Sequence, residues 1–198
     1  MNTNKNKPWN EKWEIIKHID SGGQGQTFEV KPKKDGFLSN QYVLKKLNNQ
    51  KDNERRGRMY REVTALKTLN HSGIPKIVDS NSELFDSDTP LYMVTEFVPG
   101  ATLSEVIKEK TMSIQDAVNF VIKLLDIVEY CHQNEIVHRD IKPGNIMVKN
   151  NDINNPVLID FGISFNKVDY SETSLTPTWQ QLGNRFFSLP ELLEKSSL

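Results

Sequence analysis

The chain has 198 residues, with 25 Lys and Arg against 26 Asp and Glu and a formal net charge of -1. That balance gives no electrostatic case for a nucleic-acid partner or an anionic membrane surface. A single cysteine excludes an internal disulfide, the polar start MNTNKNKPWN lacks the apolar core of a secretory signal, and no apolar run is long enough to cross a bilayer. The expectation is a cytoplasmic globule, long enough for one core or two small lobes.

In chain order, residues 1–12 read as a disordered lead. Strand, glycine turn and strand follow in WEIIKHI, DSGGQGQ and TFEV, ending at Val30. KPKKDGFLSN is a polar connection, and QYVLKKL resumes a β-rich run. Residues 54–69 place Met59, Val63, Leu66 and Leu69 at helical spacing, with Gly57 weakening the front of that helix. Two short strands, PKIVDS and LYMVTEFV, flank the acidic loop NSELFDSDTP, and Pro99-Gly100 punctuates the chain. Thr102 followed by Glu105 is a capping box opening a short helix. Ser113 with Asp116 caps a long helix through Gln133, whose apolar face is read as Ile114, Ala117, Val118, Val121, Leu124, Leu125, Val128 and Cys131. IMVKN and PVLID predict a β-hairpin across NDINN, and from Gly162 the chain reads as loop. A strand-rich front and a helical back predict two lobes joined near Glu96 to Gly100.

Several stretches carry chemistry. Gly22, Gly23 and Gly25 sit between two strands, where a turn without Cβ atoms lets backbone N–H groups approach phosphate oxygens; an ordinary glycine-rich hairpin has the same pattern. Lys45 lies in an apolar run, where an inward lysine needs an anionic partner. Glu62 is one candidate and a bound phosphate another, with a plain surface lysine as the third reading. Asp140, Lys142 and Asn145 fall within six residues of EIVHRDIKPGNIMV, and Asp160 closes the strand of LIDFG. Asp140 with Asn145, and Asp160, offer hard oxygen ligands suited to Mg²⁺ shared with phosphates and water. His138 follows Ile136 and Val137 and reads as a packed imidazole, and Cys131 as a buried thiol.

A glycine turn, a strand lysine, a helix glutamate, His-Arg-Asp with Lys and Asn following, and then Asp-Phe-Gly form an ordered set far more specific than any one of them. In that order the chain resembles Hanks-type (eukaryotic-like) serine/threonine protein kinases from about Trp13 to Glu191. The resemblance implies an α+β, protein-kinase-like fold: a β-rich N-lobe over 13–96, a hinge over 97–100, and a mainly helical, partial C-lobe over 101–198. It implies transfer of the γ-phosphate of ATP to a protein Ser or Thr hydroxyl, with Mg²⁺. Lys45 would hold the α- and β-phosphates and pair with Glu62. Asp140 would accept the hydroxyl proton, Lys142 would contact the γ-phosphate, as in serine/threonine rather than tyrosine kinases, and Asn145 and Asp160 would hold the metal. Gly22, Gly23 and Gly25 would line the phosphates, with Asp20 in place of the first family glycine and Thr27 where a valine is usual. Val43 and Met147 would sandwich adenine, Thr95 would be a small gatekeeper, and Glu96 to Val98 would present hinge hydrogen bonds. Leu66, Ile77, His138 and Phe161 match the family's stacked hydrophobic spine. A small-molecule kinase of the aminoglycoside-phosphotransferase kind shares the base and metal logic, but Arg139 and Leu189-Pro190-Glu191 argue against it.

The resemblance also implies that Arg139 reads a phosphate on the segment bearing Ser171, Thr173, Ser174, Thr176 and Thr178. Asn184 stands where a threonine usually contacts the catalytic aspartate. The chain stops seven residues after Glu191, so the reading expects a C-lobe truncated there and an exposed apolar patch on the helix of residues 113–133. Three readings stay open: a fragment of an active kinase, a domain completed by a partner chain, or a nucleotide-binding or scaffold module with little turnover.

Overall fold

The computed structural model describes residues 7–21, 25–38, 41–109 and 111–161, together with the backbone of 165–166. The chain divides into two units: Met1–Val63 with Lys76–Phe97, and Thr64–Pro75 with Val98–Leu198.

In the first unit the β-rich runs form β1 (Trp13–Ser21), β2 (Gly25–Pro32), β3 (Tyr42–Leu47), β4 (Ile77–Ser80) and β5 (Tyr92–Glu96). They pair antiparallel in the order β1-β2-β3-β5-β4. Side chains on a strand alternate between faces, and residues directly opposite share a face. Phe28 faces Leu44, which faces Val94, and Val30 faces Tyr42. With Trp9, Trp13 and Tyr92 these make a buried aromatic and aliphatic core on one side of the sheet. The other side carries Thr27 opposite Lys45 and Val43 opposite Thr95. Helix α1 (Asn53–Thr68) buries Met59, Val63 and Leu66 as its spacing predicts, with Leu69 buried just beyond its end.

The lead is not wholly irregular. Pro8–Glu11 form one 3₁₀ turn whose Trp9 is buried in the core beside Tyr92, ring centroids 6.1 Å apart. The polar run around Trp9 hides this in the sequence, because one indole can anchor a turn without any periodicity. Residues 1–6 lie outside the described residues.

In the second unit, β6 (Gly100–Thr102), β8 (Ile146–Lys149) and β9 (Pro156–Leu158) form a three-stranded sheet, and β7 (Ile136–Val137) pairs with β10 (Phe165–Asn166). The hairpin of β8 and β9 is the expected one; β6, β7 and β10 are too short to announce themselves by alternation. Gly100 has φ +124°, and a Cβ there would lie 2.1 Å from the Val148 carbonyl, so only glycine allows β6 to pair with β8. The capping box of Thr102 and Glu105 opens α2 (Leu103–Glu109) with reciprocal bonds of 2.7 and 3.2 Å. Ser113 caps α3 (Ile114–Gln133) by accepting from the Asp116 N–H.

The apolar face read for α3 is largely exposed, which is the apolar patch expected on this helix, and the buried side is rotated from it. Phe120, Ile127 and Cys131 are buried, whereas Ile114, Val118, Val121 and Leu125 are exposed. A helix apolar on more than half its circumference leaves its phase undecided, and the neighbours choose it. Gly73 makes one such choice: its missing side chain leaves the space that Ile127 fills. Cys131 is inert as expected, its thiol pushed up to about 11 by burial.

Candidate active site

Lys45 and Lys46 are neighbours on β3 and therefore point to opposite faces. Lys46 extends over the rings of Phe28 and Trp9, 5.0 and 5.4 Å from their centroids, and burial lowers its pKa. Lys45 turns to the other face and donates to both carboxylate oxygens of Glu62, at 2.8 and 3.0 Å. Glu62 is buried on α1. Of the three readings open for Lys45 in the sequence, the surface lysine is removed and the Glu62 pair is made. Thr27, Val43 and Thr95 lie on the Lys45 face of the sheet, with Thr95 buried. Gly25 has its own reason to be glycine, since a Cβ would lie 2.5 Å from the Lys46 carbonyl across the strand pair. Gly22 and Gly23 lie outside the described residues. Asp20, just before them, folds its carboxylate onto the Ser21 N–H at 2.8 Å. The Glu96 N–H donates to the Lys76 carbonyl at 3.0 Å, so this amide is already committed.

In the second unit a turn after β7 gathers the second group. Lys142 Nζ donates to Asp140 Oδ2 at 2.6 Å, and Asn145 Nδ2 donates to the same oxygen at 2.8 Å and to the Asp140 carbonyl at 2.9 Å. The 3₁₀ turn Pro143–Asn145 makes this possible, because it brings Asn145 back over Asp140 immediately before β8 begins. The Ile159 N–H donates to the Asn145 carbonyl at 2.9 Å, extending the β8–β9 ladder so that Asp160 follows beside Asn145. Arg139 and Asp160 have φ of 66° and 62°. That left-handed conformation is uncommon outside glycine, and here it marks two residues that the sequence had singled out. Val98 and Met147 belong to the same unit, Met147 lying on β8 opposite Thr102 and Val157.

His138 is buried, and its role is larger than packing. Its Nδ1 accepts the Asp140 N–H at 3.2 Å while Nε2 donates to the Ile159 carbonyl at 3.0 Å, which defines a neutral tautomer. Burial lowers its pKa and keeps that form. Its ring meets Phe161 edge-on at 4.6 Å. The imidazole thus ties the turn bearing Asp140 to the strand leading into Asp160. A buried imidazole must satisfy both nitrogens, and that requirement is the sequence-level signal for such a tie. Of the remaining spine positions, Leu66 is buried and Ile77 half-buried.

The donor set suits Mg²⁺. Asn145 has its amide nitrogen committed to Asp140, so the amide oxygen is the atom it can offer a cation, and Asp160 adds a carboxylate. Among the described residues no group of three or more His, Cys, Asp or Glu could hold a metal by itself. Two oxygen donors with the rest of the shell from phosphates and water is the way Mg²⁺ is commonly bound with nucleotides. Ser171, Thr173, Ser174, Thr176, Thr178, Asn184 and Glu191 lie outside the described residues.

Comparisons with known proteins agree with this constellation. The serine/threonine-protein kinase PrkC of Bacillus subtilis is 31% identical over 183 residues, covering 91% of this chain and 26% of PrkC. PknA of a Nostoc species, also a serine/threonine-protein kinase, is 37% identical over 160 residues, 76% of this chain and 27% of its own length. Serine/threonine-protein kinase C of a Synechocystis species is 35% identical over 164 residues, 78% and 29% respectively. The chain therefore spans about a quarter of the length of the curated relatives it matches. The protein kinase domain model matches residues 13–198, with the paired lysine and glutamate and the Asp140 turn inside the match, and the chain belongs to the protein kinase domain family.

Proposed function

We propose that this chain carries out ATP-dependent phosphorylation of serine or threonine hydroxyls on a protein substrate, in the cytoplasm, where ATP and Mg²⁺ are supplied. The observation that carries the reading is the Asp140 turn. Lys142 and Asn145 both hold Oδ2, which leaves Oδ1 as the oxygen to receive the proton of an attacking hydroxyl. His138 also holds the Asp140 backbone, accepting from its N–H. A carboxylate whose side chain and backbone are both held keeps its aim without reorganising during the reaction, which is what phosphoryl transfer asks of a protein.

The remaining roles follow the family match. Lys45, steadied by Glu62, binds the α- and β-phosphates. Gly22, Gly23 and Gly25 line the phosphate loop, Thr27, Val43 and Met147 contact adenine, and Thr95, Glu96 and Val98 form the nucleotide's edge contacts. Asn145 and Asp160 hold Mg²⁺, which when bound neutralises phosphate charge. Lys142 carries the γ-phosphate contact and, with it, the preference for Ser and Thr. The lead, the two lobes and the hinge over 97–100 are proposed with the boundaries given above.

The test is incubation of the chain with Mg²⁺, γ-labelled ATP and a generic basic protein substrate, beside Lys45→Met and Asp140→Asn. Label on Ser or Thr is expected from the wild type, with a loss of at least about a hundredfold in either variant and nucleotide binding kept in Asp140→Asn. Nucleotide binding with no transfer by the wild type would replace this reading with that of a binding module.

A further inference from the structure

Arg56, near the start of α1, is only 2% exposed. Its guanidinium is taken up by backbone carbonyls: Nε donates to Phe85 (2.7 Å), Nη2 to Leu84 (2.7 Å), and Nη1 to Gln50 (2.9 Å) and Thr89 (3.0 Å). An enclosed charge is costly unless its donors are satisfied, and this fork is satisfied on every nitrogen. Burial pulls the guanidinium pKa down, while the carboxylates of Asp88 and Asp86 on the same loop favour the charged form.

The acceptors come from two places. Leu84, Phe85 and Thr89 belong to the connection between β4 and β5, and Gln50 to that between β3 and α1. The Gln50 side chain closes the ring, accepting from the Leu91 N–H at 2.8 Å and donating to the Leu91 carbonyl at 3.1 Å. One turn along α1, Tyr60 lies against Phe85 with centroids 4.7 Å apart. The front of α1 is thus fastened to the β4–β5 connection. Glu62 is six residues beyond Arg56, about 9 Å along the axis and about 240° around it. Fixing Arg56 therefore fixes both the depth and the roll with which Glu62 reaches Lys45.

We propose that Arg56 is a positioning residue that sets α1 so that Glu62 meets Lys45, through an anchor lying wholly within the same unit. Its consequence for catalysis rests on the kinase reading; its geometry does not. The test is the rate of Lys45 acylation by acetic anhydride, mapped by peptide mass spectrometry on the full chain. Glu62→Gln gives the rate without the pair. Arg56→Met is expected to raise Lys45 acylation about tenfold, because an amine no longer clasped by the Glu62 carboxylate is freer to attack the anhydride. Arg56→Lys, which cannot serve four carbonyls from one plane, should fall between wild type and Arg56→Met. Arg56→Met should add nothing in the Glu62→Gln background. Phosphotransfer kcat should fall as Lys45 acylation rises, from wild type through Arg56→Lys to Arg56→Met, with the same non-additivity. Circular dichroism identifies the folded variants, and Arg56→Lys carries the comparison if Arg56→Met does not fold. Unchanged Lys45 reactivity in a folded Arg56 variant, or independent effects of Arg56 and Glu62, overturns the proposal. A wild type without phosphotransfer defeats the kinase reading alone and leaves the acylation rates to decide this one.

Discussion

Asp79 shows how much one carboxylate can organise. It accepts from Lys12 Nζ at 2.9 Å, Trp13 Nε1 at 2.8 Å and the Tyr92 hydroxyl at 2.8 Å, joining the start of β1 to β4 and β5. Burial pushes its pKa up, but the bonds from Trp13, Lys12 and Tyr92 outweigh it and leave the group below the ordinary range. Because the folded pKa is the lower one, the carboxylate contributes its stability above the ordinary Asp value of about 3.9 and loses it as pH falls through the depressed folded value. Unfolding free energy measured against pH should fall on acidification below about pH 4, and the gap between wild type and Asp79→Asn should shrink there. Asp79→Ala, which strands two part-buried donors, should cost about 2 kcal/mol, read as a lower urea midpoint at unchanged slope. None of this was legible beforehand, since Asp79 sits in an acidic neighbourhood and its partners are 13 to 67 residues away.

Among the elements, α3 separates pattern from placement. Its existence, length and cap follow from Ser113, Asp116 and twenty residues without Pro or Gly. Its inward face does not, because apolar side chains surround most of the helix. Ile127 is 2% exposed and Leu125 58%, so Ile127→Ala should cost about 3 kcal/mol and Leu125→Ala under about 0.5 kcal/mol. Reversed costs in chemical denaturation would mean that the other face is the buried one. Helix α1 was easier to read: a narrow stripe of Met59, Val63 and Leu66 admits one inward direction, and that direction carries Glu62 toward β3.

At the scale of the whole molecule, the net charge of -1 fits a protein whose ligands are recognised locally rather than by a long-range field. Among the described residues no helix is long and apolar enough to cross a membrane. A nucleotide that binds only the folded chain must stabilise it, by about 2.7 kcal/mol at a hundred times its Kd. The melting temperature should therefore climb with ATP concentration in the presence of Mg²⁺, and climb less when Asn145→Ala and Asp160→Ala remove the oxygen donors proposed for the metal. A shift indifferent to both substitutions would remove Asn145 and Asp160 from the nucleotide's metal.

Order along the chain was enough to identify the family, because the phosphate-binding, proton-accepting and metal-binding residue types recur there in one sequence of motifs. Local chemistry also settled caps, turns and strand alternation, each of which depends on neighbours within a few residues. Long-range pairing settled the rest. Which of two adjacent lysines meets Glu62, which face of α3 is buried, why Trp9 belongs to the core and how His138 holds Asp140 all depend on partners brought together by folding, whose separation in sequence leaves no periodic trace.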